Sequence, residues 1–265
     1  MIRTILAVLL IAAALAACAP RAGSAQQSES PAPLPTATGA YAETLRYGRE
    51  LMQHTPAMLP QNVGAAMSCE NCHIDAGTRQ HALALTGTYA AFPQWNPRAK
   101  RMIAVQDRIA ECFLYSVNGT PPAYTSRAME ALTAYVAWLS RGTPVGERPP
   151  GQAPPAFAPP HSPEPTAGAQ VYAKQCVVCH GADGAGTPGT FPPLWGPHSF
   201  NDGAGMNNVN MMARFVRYAM PFGSPPNTLT EQEAYDVAAF VLGHPRPHFD
   251  PHRAIGFPPR QSSFF

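Results

Sequence analysis

Cys69-Glu70-Asn71-Cys72-His73 and Cys176-Val177-Val178-Cys179-His180 decide how the rest of this chain is read. C-x-x-C-H is the attachment pattern of a c-type haem: two thiols add to the vinyl groups and the adjoining His reaches the iron. At this chain's frequencies of Cys and His, one chance match has a probability of roughly 0.5%. Two matches leave little room for accident. A zinc site would want four ligands from paired knuckles, and a thioredoxin-like dithiol would want βαβ patterning. Neither pattern accompanies these motifs. The sequence therefore predicts two covalently bound haem c groups, attached through Cys69, Cys72, Cys176 and Cys179, with His73 and His180 as proximal iron ligands.

The surroundings of the two motifs repeat one layout: a helical stretch, the motif, a Gly/Pro-rich loop, a second helical stretch and a closing amphipathic helix. In the first unit Tyr41, Leu45, Leu51 and Met52 precede the motif, helical patterning covers Arg98 to Val117, and Ser126 to Leu139 closes it. In the second, patterning returns from Asn208 to Ala219 and again after Thr230-Glu231-Gln232-Glu233, which fits a capping box. Neither unit shows clear two-residue alternation, so strands are not expected. The predicted class is all-α: two cytochrome c-like domains, 39–143 and 166–243, joined by a Pro-rich linker at 144–165. That linker holds nine prolines in 22 positions and reads as a semi-rigid spacer. Residues 244–265 read as an irregular tail.

The 31 prolines among 265 residues, about twice the usual share, are accounted for by linker and loops. The 18 basic and 16 acidic residues leave a formal charge of +2, which provides no footprint for nucleic acid. At the N-terminus Arg3 precedes an apolar run from Ile5 to Ala17, too short to span a bilayer and suited to a secretory signal. The run ends in Leu15-Ala16-Ala17-Cys18, a lipobox-like sequence; the plainer alternative is an ordinary signal peptide with an incidental cysteine. The expectation is a lipoprotein signal peptide over 1–17, a flexible tether over 18–38, and an exported, periplasmic protein anchored to a membrane by lipid on Cys18.

Each haem needs a partner on its distal side. Met220 lies 40 residues after His180 in Met220-Pro221-Phe222-Gly223, whereas Met206, Met211 and Met212 read as core. His/Met ligation raises the reduction potential, which suits an electron-exit haem. In the first unit the sixth cysteine, Cys112, lies 39 residues after His73. Positions 98, 101, 105, 108, 112 and 116 advance by three or four, so Arg98, Arg101, Val105, Arg108, Cys112 and Ser116 are expected to share one helical face. That stripe reads as an anion pocket: guanidinium groups bind oxyanions bidentately and hold a thiol as thiolate, the form that ligates metal and attacks sulfur.

With these residues in hand, the chain resembles the dihaem thiosulfate dehydrogenases. The resemblance runs through His73-Ile74-Asp75-Ala76-Gly77, Phe92-Pro93-Gln94-Trp95-Asn96-Pro97-Arg98, and Arg108-Ile109-x-x-Cys112-Phe113-x-x-Ser116-x-Asn118-Gly119. It continues through Asn201-Asp202-Gly203-Ala204-Gly205-Met206 and the Met220 loop. It implies an active-site haem ligated by His73 and Cys112 and an electron-transfer haem ligated by His180 and Met220. It also implies oxidation of two thiosulfates to tetrathionate, reversible in some relatives. Arg98, Arg108 and Ser116, with Arg101 and Asn118 as further candidates, would hold the dianion while Cys112 bonds to it. A soluble c-type cytochrome or similar carrier would accept the electrons. Some relatives place a Lys before the distal Met as an alternative ligand; Ala219 stands here, so no such switch is expected. Two other readings compete: a dihaem electron-transfer cytochrome without its own substrate, and a Sox-type sulfur-transfer haem subunit.

Overall fold

The computed structural model describes residues 34–36 and 38–254. The signal segment, Cys18, nearly all of the tether and the tail beyond Ala254 lie outside the described residues. No helix among the described residues is long and apolar enough to cross a membrane.

Both domains are built on one crossing of two helices. In the first, Ala40–Gln53 packs against Arg127–Leu139; in the second, Pro165–Gln175 packs against Glu231–Leu242. Local sequence starts three of the helices used here. Ser126 accepts a hydrogen bond from the Met129 amide, Asn208 accepts from that of Met211 at the head of Val209–Ala219, and Thr230 and Glu233 form the expected capping box. Pro165 occupies the first turn of its helix, where its missing N–H costs nothing. Apolar residues at helical spacing then bury the facing sides: Ala131, Leu132 and Tyr135 in one domain, Ala234, Val237 and Ala238 in the other. Each crossing is drawn tight at a glycine. A Cβ on Gly48 would sit 2.2 Å from the Ala131 carbonyl oxygen, and one on Gly168 would sit 2.0 Å from that of Asp236.

One expectation needs correction. Residues 94–103 form an antiparallel hairpin, Gln94–Asn96 paired with Arg101–Ile103 through Trp95↔Met102, rather than the start of a helix. Pro97 breaks the helical pattern, and the Asn96 side-chain oxygen accepts the Arg98 and Ala99 amides, both at 2.9 Å. That Asx-type turn outcompetes the helix. The helix proper runs only from Val105 to Glu111 and continues as a π turn, Cys112–Ser116. Arg98 and Arg101 therefore do not share a helical face with Cys112.

The linker is strapped to both domains rather than spanning open solvent. Gly151 and Gln152 carbonyls accept the His81 and Ala84 amides, and farther along the Phe157 carbonyl accepts the Tyr235 hydroxyl and Asp236 accepts the Glu164 amide. The tail returns across the domain boundary: Phe249 packs on Tyr115 with ring centroids 4.6 Å apart. One large apolar core runs through both domains, and a smaller cluster of Ile74, Ala82, Phe215 and Ala219 also joins them.

Gly48→Ala and Gly168→Ala are each expected to destabilise the protein by about 1–3 kcal/mol, because backbone faces the added methyl and cannot yield. Denaturant unfolding followed by circular dichroism checks this.

Candidate functional site

The first motif is built from a side-chain lattice. Thr55, fully buried, donates to the Leu51 carbonyl at 2.7 Å and accepts the Cys69 amide at 3.1 Å. Ser68 accepts the Thr55 amide, while the Ser68 amide donates to the Asn71 side chain at 2.7 Å. These bonds fix the short turn Cys69–Asn71. The His73 ring places Nδ1 2.6 Å from the Leu83 carbonyl oxygen. In the second domain His180 Nδ1 lies 3.0 Å from the Pro192 carbonyl oxygen. A carbonyl acceptor requires Nδ1–H, so Nε2 of each ring is left with its lone pair for iron. Burial lowers the proton affinity of both rings, against the pull of those carbonyls. Neutral imidazole is the form a metal takes.

Burial likewise pushes the free thiols of Cys69 and Cys72 up to about 11 and about 12, and electrostatic interaction with nearby Cys112 adds to each. Conversion to thioethers removes the proton from the problem. Arg108 is raised above its ordinary value, chiefly by Cys112, and its positive charge contributes to lowering His73. Cys69, Cys72, His73, Arg108 and Cys112 are thus close enough to act on one another electrostatically, a cluster we call the Cys112 chamber.

The predicted anion ligands separate in three dimensions. Arg108 is beside Cys112 with about half of its side chain open to solvent, and its Nη1 lies 3.1 Å from Glu111 Oε2. Ser116 ends the π turn that Cys112 begins. Arg98 has instead swung onto the domain boundary, its guanidinium 4.0 Å from the Tyr115 ring centroid and Nη2 donating to the Gly203 carbonyl at 3.0 Å. Arg101 pairs with Asp107 at 3.3 Å. The Asn118 side chain turns to Asn201, which donates to it at 3.1 Å. Sequence reasoning missed Glu111, which joins Arg108 to the hairpin by also accepting from Asn96 Nδ2 at 2.8 Å. A carboxylate adjoining the candidate nucleophile was the available signal.

The second motif opens on a cavity of about 610 Å³ lined by Cys176, Cys179 and His180 together with apolar Phe215, Leu229 and Val237. Met220 lies on its wall, just past the end of helix Val209–Ala219, where Pro221 turns the chain away. Met206 and Met212 line the same cavity, so the core reading of these two is incomplete; Met212 is also packed in the core. Two thiols, an oriented imidazole, a thioether and an apolar box fit a haem c. Cys72 and Ile74 of the first domain close part of the wall, bringing the two haem sites into contact. Ala219, where a relative's Lys would stand, is buried against Ile74, Ala82 and Phe215.

Fold and sites together define a c-type cytochrome with two haems. Comparison with known proteins narrows this. Residues 60–145 match the family model "SoxA/TsdA, cytochrome c domain", and residues 165–245 match "Cytochrome c". The chain is 40% identical to a thiosulfate dehydrogenase of Allochromatium vinosum, covering 80% of this chain and 81% of that one. It is 38% identical to a thiosulfate dehydrogenase of Stutzerimonas stutzeri, over 82% of this chain and 72% of the relative. The solved thiosulfate dehydrogenase TsdBA of Marichromatium purpuratum superposes with a TM-score of 0.78 at 35% identity over 89% of this chain. The present chain spans about half, 54%, of that longer one. The protein belongs to the thiosulfate dehydrogenase family of oxidoreductases and carries two c-type haems.

Haem quantified as the pyridine haemochrome is expected at two per chain in the wild type. Replacing Cys69 and Cys72 together by Ser should leave one, retained in denaturing electrophoresis through Cys176 and Cys179.

Proposed function

We propose that this chain oxidises two thiosulfate ions to one tetrathionate at the Cys112 chamber, and that the second domain passes the electrons to a soluble c-type cytochrome or similar carrier. The observation that carries this reading is that Arg108 stands one helical turn before Cys112, whose amide donates to the Arg108 carbonyl, with the Arg108 guanidinium reaching solvent beside Glu111. A cytochrome that only relayed electrons would have no use for a solvent-reaching guanidinium one turn from a half-buried thiol. The haems, when bound, accept electrons one at a time, so two of them hold the pair that the reaction releases.

Thiosulfate is a dianion, and Arg108 offers it a charged, forked donor. Leaving Glu111 for the anion keeps the guanidinium paired throughout. The Ser116 hydroxyl orients the sulfonate end one turn away. The Cys112 thiolate and the sulfane sulfur of the first thiosulfate then lose two electrons as the sulfur–sulfur bond forms, giving Cys-S-S-SO3⁻. The second thiosulfate attacks the outer sulfur of that adduct, the Cys112 thiolate leaves and tetrathionate departs. Every step can run backwards if the carrier is strongly reducing, so the same residues serve tetrathionate reduction. Arg98 acts from the domain boundary, holding Tyr115 beneath its guanidinium.

We place the protein in the periplasm, lipid-anchored through Cys18, on the strength of the N-terminal sequence. Met220 is the distal ligand we assign to the second haem: it leaves the helix with extended backbone at the cavity wall. Met220→Gly should abolish the Met-to-iron charge-transfer band and lower the second haem's potential in a spectroelectrochemical titration. Persistence of the band would pass the role to Met206 or Met212.

Cys112→Gly is expected to keep both haems and lose thiosulfate oxidation by more than about 10³-fold, since the covalent step has no substitute. Arg108→Ala should raise KM roughly 10- to 100-fold, the loss of a charge-assisted hydrogen-bonded ion pair. Steady-state assays with thiosulfate, and with tetrathionate plus a reductant, check both; an inactive wild type would favour a pure electron carrier.

A further inference from the structure

The turn that begins at Cys112 is held in place from the other domain. Its register is π: the Val117 amide bonds back to the Cys112 carbonyl at 3.1 Å. Such turns end in carbonyls that no helical amide reaches, and buried carbonyls need partners. Gly64 and Ala65 amides take that of Val117, both from within the first domain. The Gly119 amide takes that of Phe113 at 2.7 Å, and those of Leu114 and Tyr115 are taken by one residue of the second domain. Asn201 donates its side-chain amide to the Leu114 carbonyl at 2.8 Å and its backbone amide to the Tyr115 carbonyl at 3.2 Å.

Asn201 is completely buried, and its own side chain is used at every position. Nδ2 also reaches Asn118 Oδ1 at 3.1 Å, and Oδ1 accepts the Gly203 amide at 3.0 Å. The next residue in that loop, Asp202, ties it to the tail through the Phe249 amide, and the Gly203 carbonyl receives Arg98. None of this serves the second haem: Asn201 does not line that domain's cavity. The Asn201-Asp202-Gly203 stretch faces the first domain's chemistry.

We infer that Asn201 is a positioning residue for the Cys112 chamber, clamping the π turn from the electron-transfer domain so that Cys112 and Ser116 face the same thiosulfate. This rests on Cys112 being the nucleophile. The physical reason lies in the turn's pitch. A π turn advances fewer degrees per residue than an α turn, so relaxing to α register swings Ser116 around the axis relative to Cys112. Replacing the Asn201 side chain releases the Leu114 carbonyl and the Asn118 side chain, so the middle of the turn keeps only the backbone bond to Tyr115 from the second domain, and the wider register loses its side-chain clamp. Arg108 lies upstream, on regular helix, and would stay where it is.

The test compares purified dihaem wild type, Asn201→Leu, Asn201→Ser and Cys112→Gly. Serine leaves room for a water and is the milder variant should leucine prevent accumulation. Expected in the Asn201 variants is a fall in kcat of at least tenfold, approaching about 10²-fold for a displacement near 1 Å. KM for thiosulfate should hold within about twofold. The thiolate-ligated low-spin signal of the first haem should shift in electron paramagnetic resonance, and the second haem's spectrum should not. A folded Asn201→Ser with wild-type kcat and thiolate signal overturns the inference, as does a loss that disturbs the second haem equally. If Cys112→Gly remains active, the nucleophile assignment falls and this inference with it. If Cys112→Gly is dead while the Asn201 variants behave as wild type, only the inference falls.

Discussion

The histidine ring of each haem motif is turned by a backbone carbonyl, Leu83 for His73 and Pro192 for His180, and much else follows from that constraint. The carbonyl selects the tautomer and the plane of the ring, so it sets the line along which iron is held. Thioether attachment then fixes one edge of the macrocycle. What remains free is the distal side, for which we propose a different sulfur in each domain. A thiol at the start of a π turn arrives in one domain and a thioether just past a helix end in the other. Two copies of one helix crossing, each pinched at a glycine, thus support two centres with different chemistry.

The domains are fused chemically as well as mechanically. Ile74, next to His73, packs with Phe215 and Ala219 of the second domain, and Leu83, whose carbonyl orients His73, packs against the same cluster as Met220 does. Cys72 and Ile74 form part of the second haem's wall. Apolar contact of this kind excludes water from the boundary between two redox groups and lowers the reorganisation that electron movement costs there. The linker, bonded to the first domain at Gly151 and Gln152 and to the second from Phe157 onward, keeps that contact from opening.

Charge in the first chamber is arranged economically. Arg108 is drawn on one side by Cys112 and on the other by Glu111, and Glu111 is itself anchored by Asn96. A guanidinium already paired pays little extra desolvation when its partner changes from carboxylate to substrate anion. The hairpin that carries Asn96 is held through Arg101 and Tyr124, both engaging Asp107 at the head of the helix leading to Cys112. Arginines that a helical pattern would have pooled into one pocket therefore divide the work. One faces the thiol, one braces the hairpin, and one clamps the domains.

By itself the sequence determined what chemistry the chain can carry. Cysteine–histidine spacing is a covalent fact, so both haem attachments and the two-domain duplication could be read directly. Caps at Ser126, Asn208 and Thr230 were equally legible, because they act within one turn of chain. Tertiary structure decided which polar groups meet. Arg98 and Arg101 follow helical spacing on paper, but Pro97 and the Asn96 side chain convert that stretch to a hairpin and send them elsewhere. Asn118 reads as a neighbour of the substrate and is instead bonded to Asn201, more than eighty positions away. Periodicity registers only local geometry, whereas the partner of a buried amide or guanidinium is chosen by whichever carbonyl or carboxylate packing leaves unpaired.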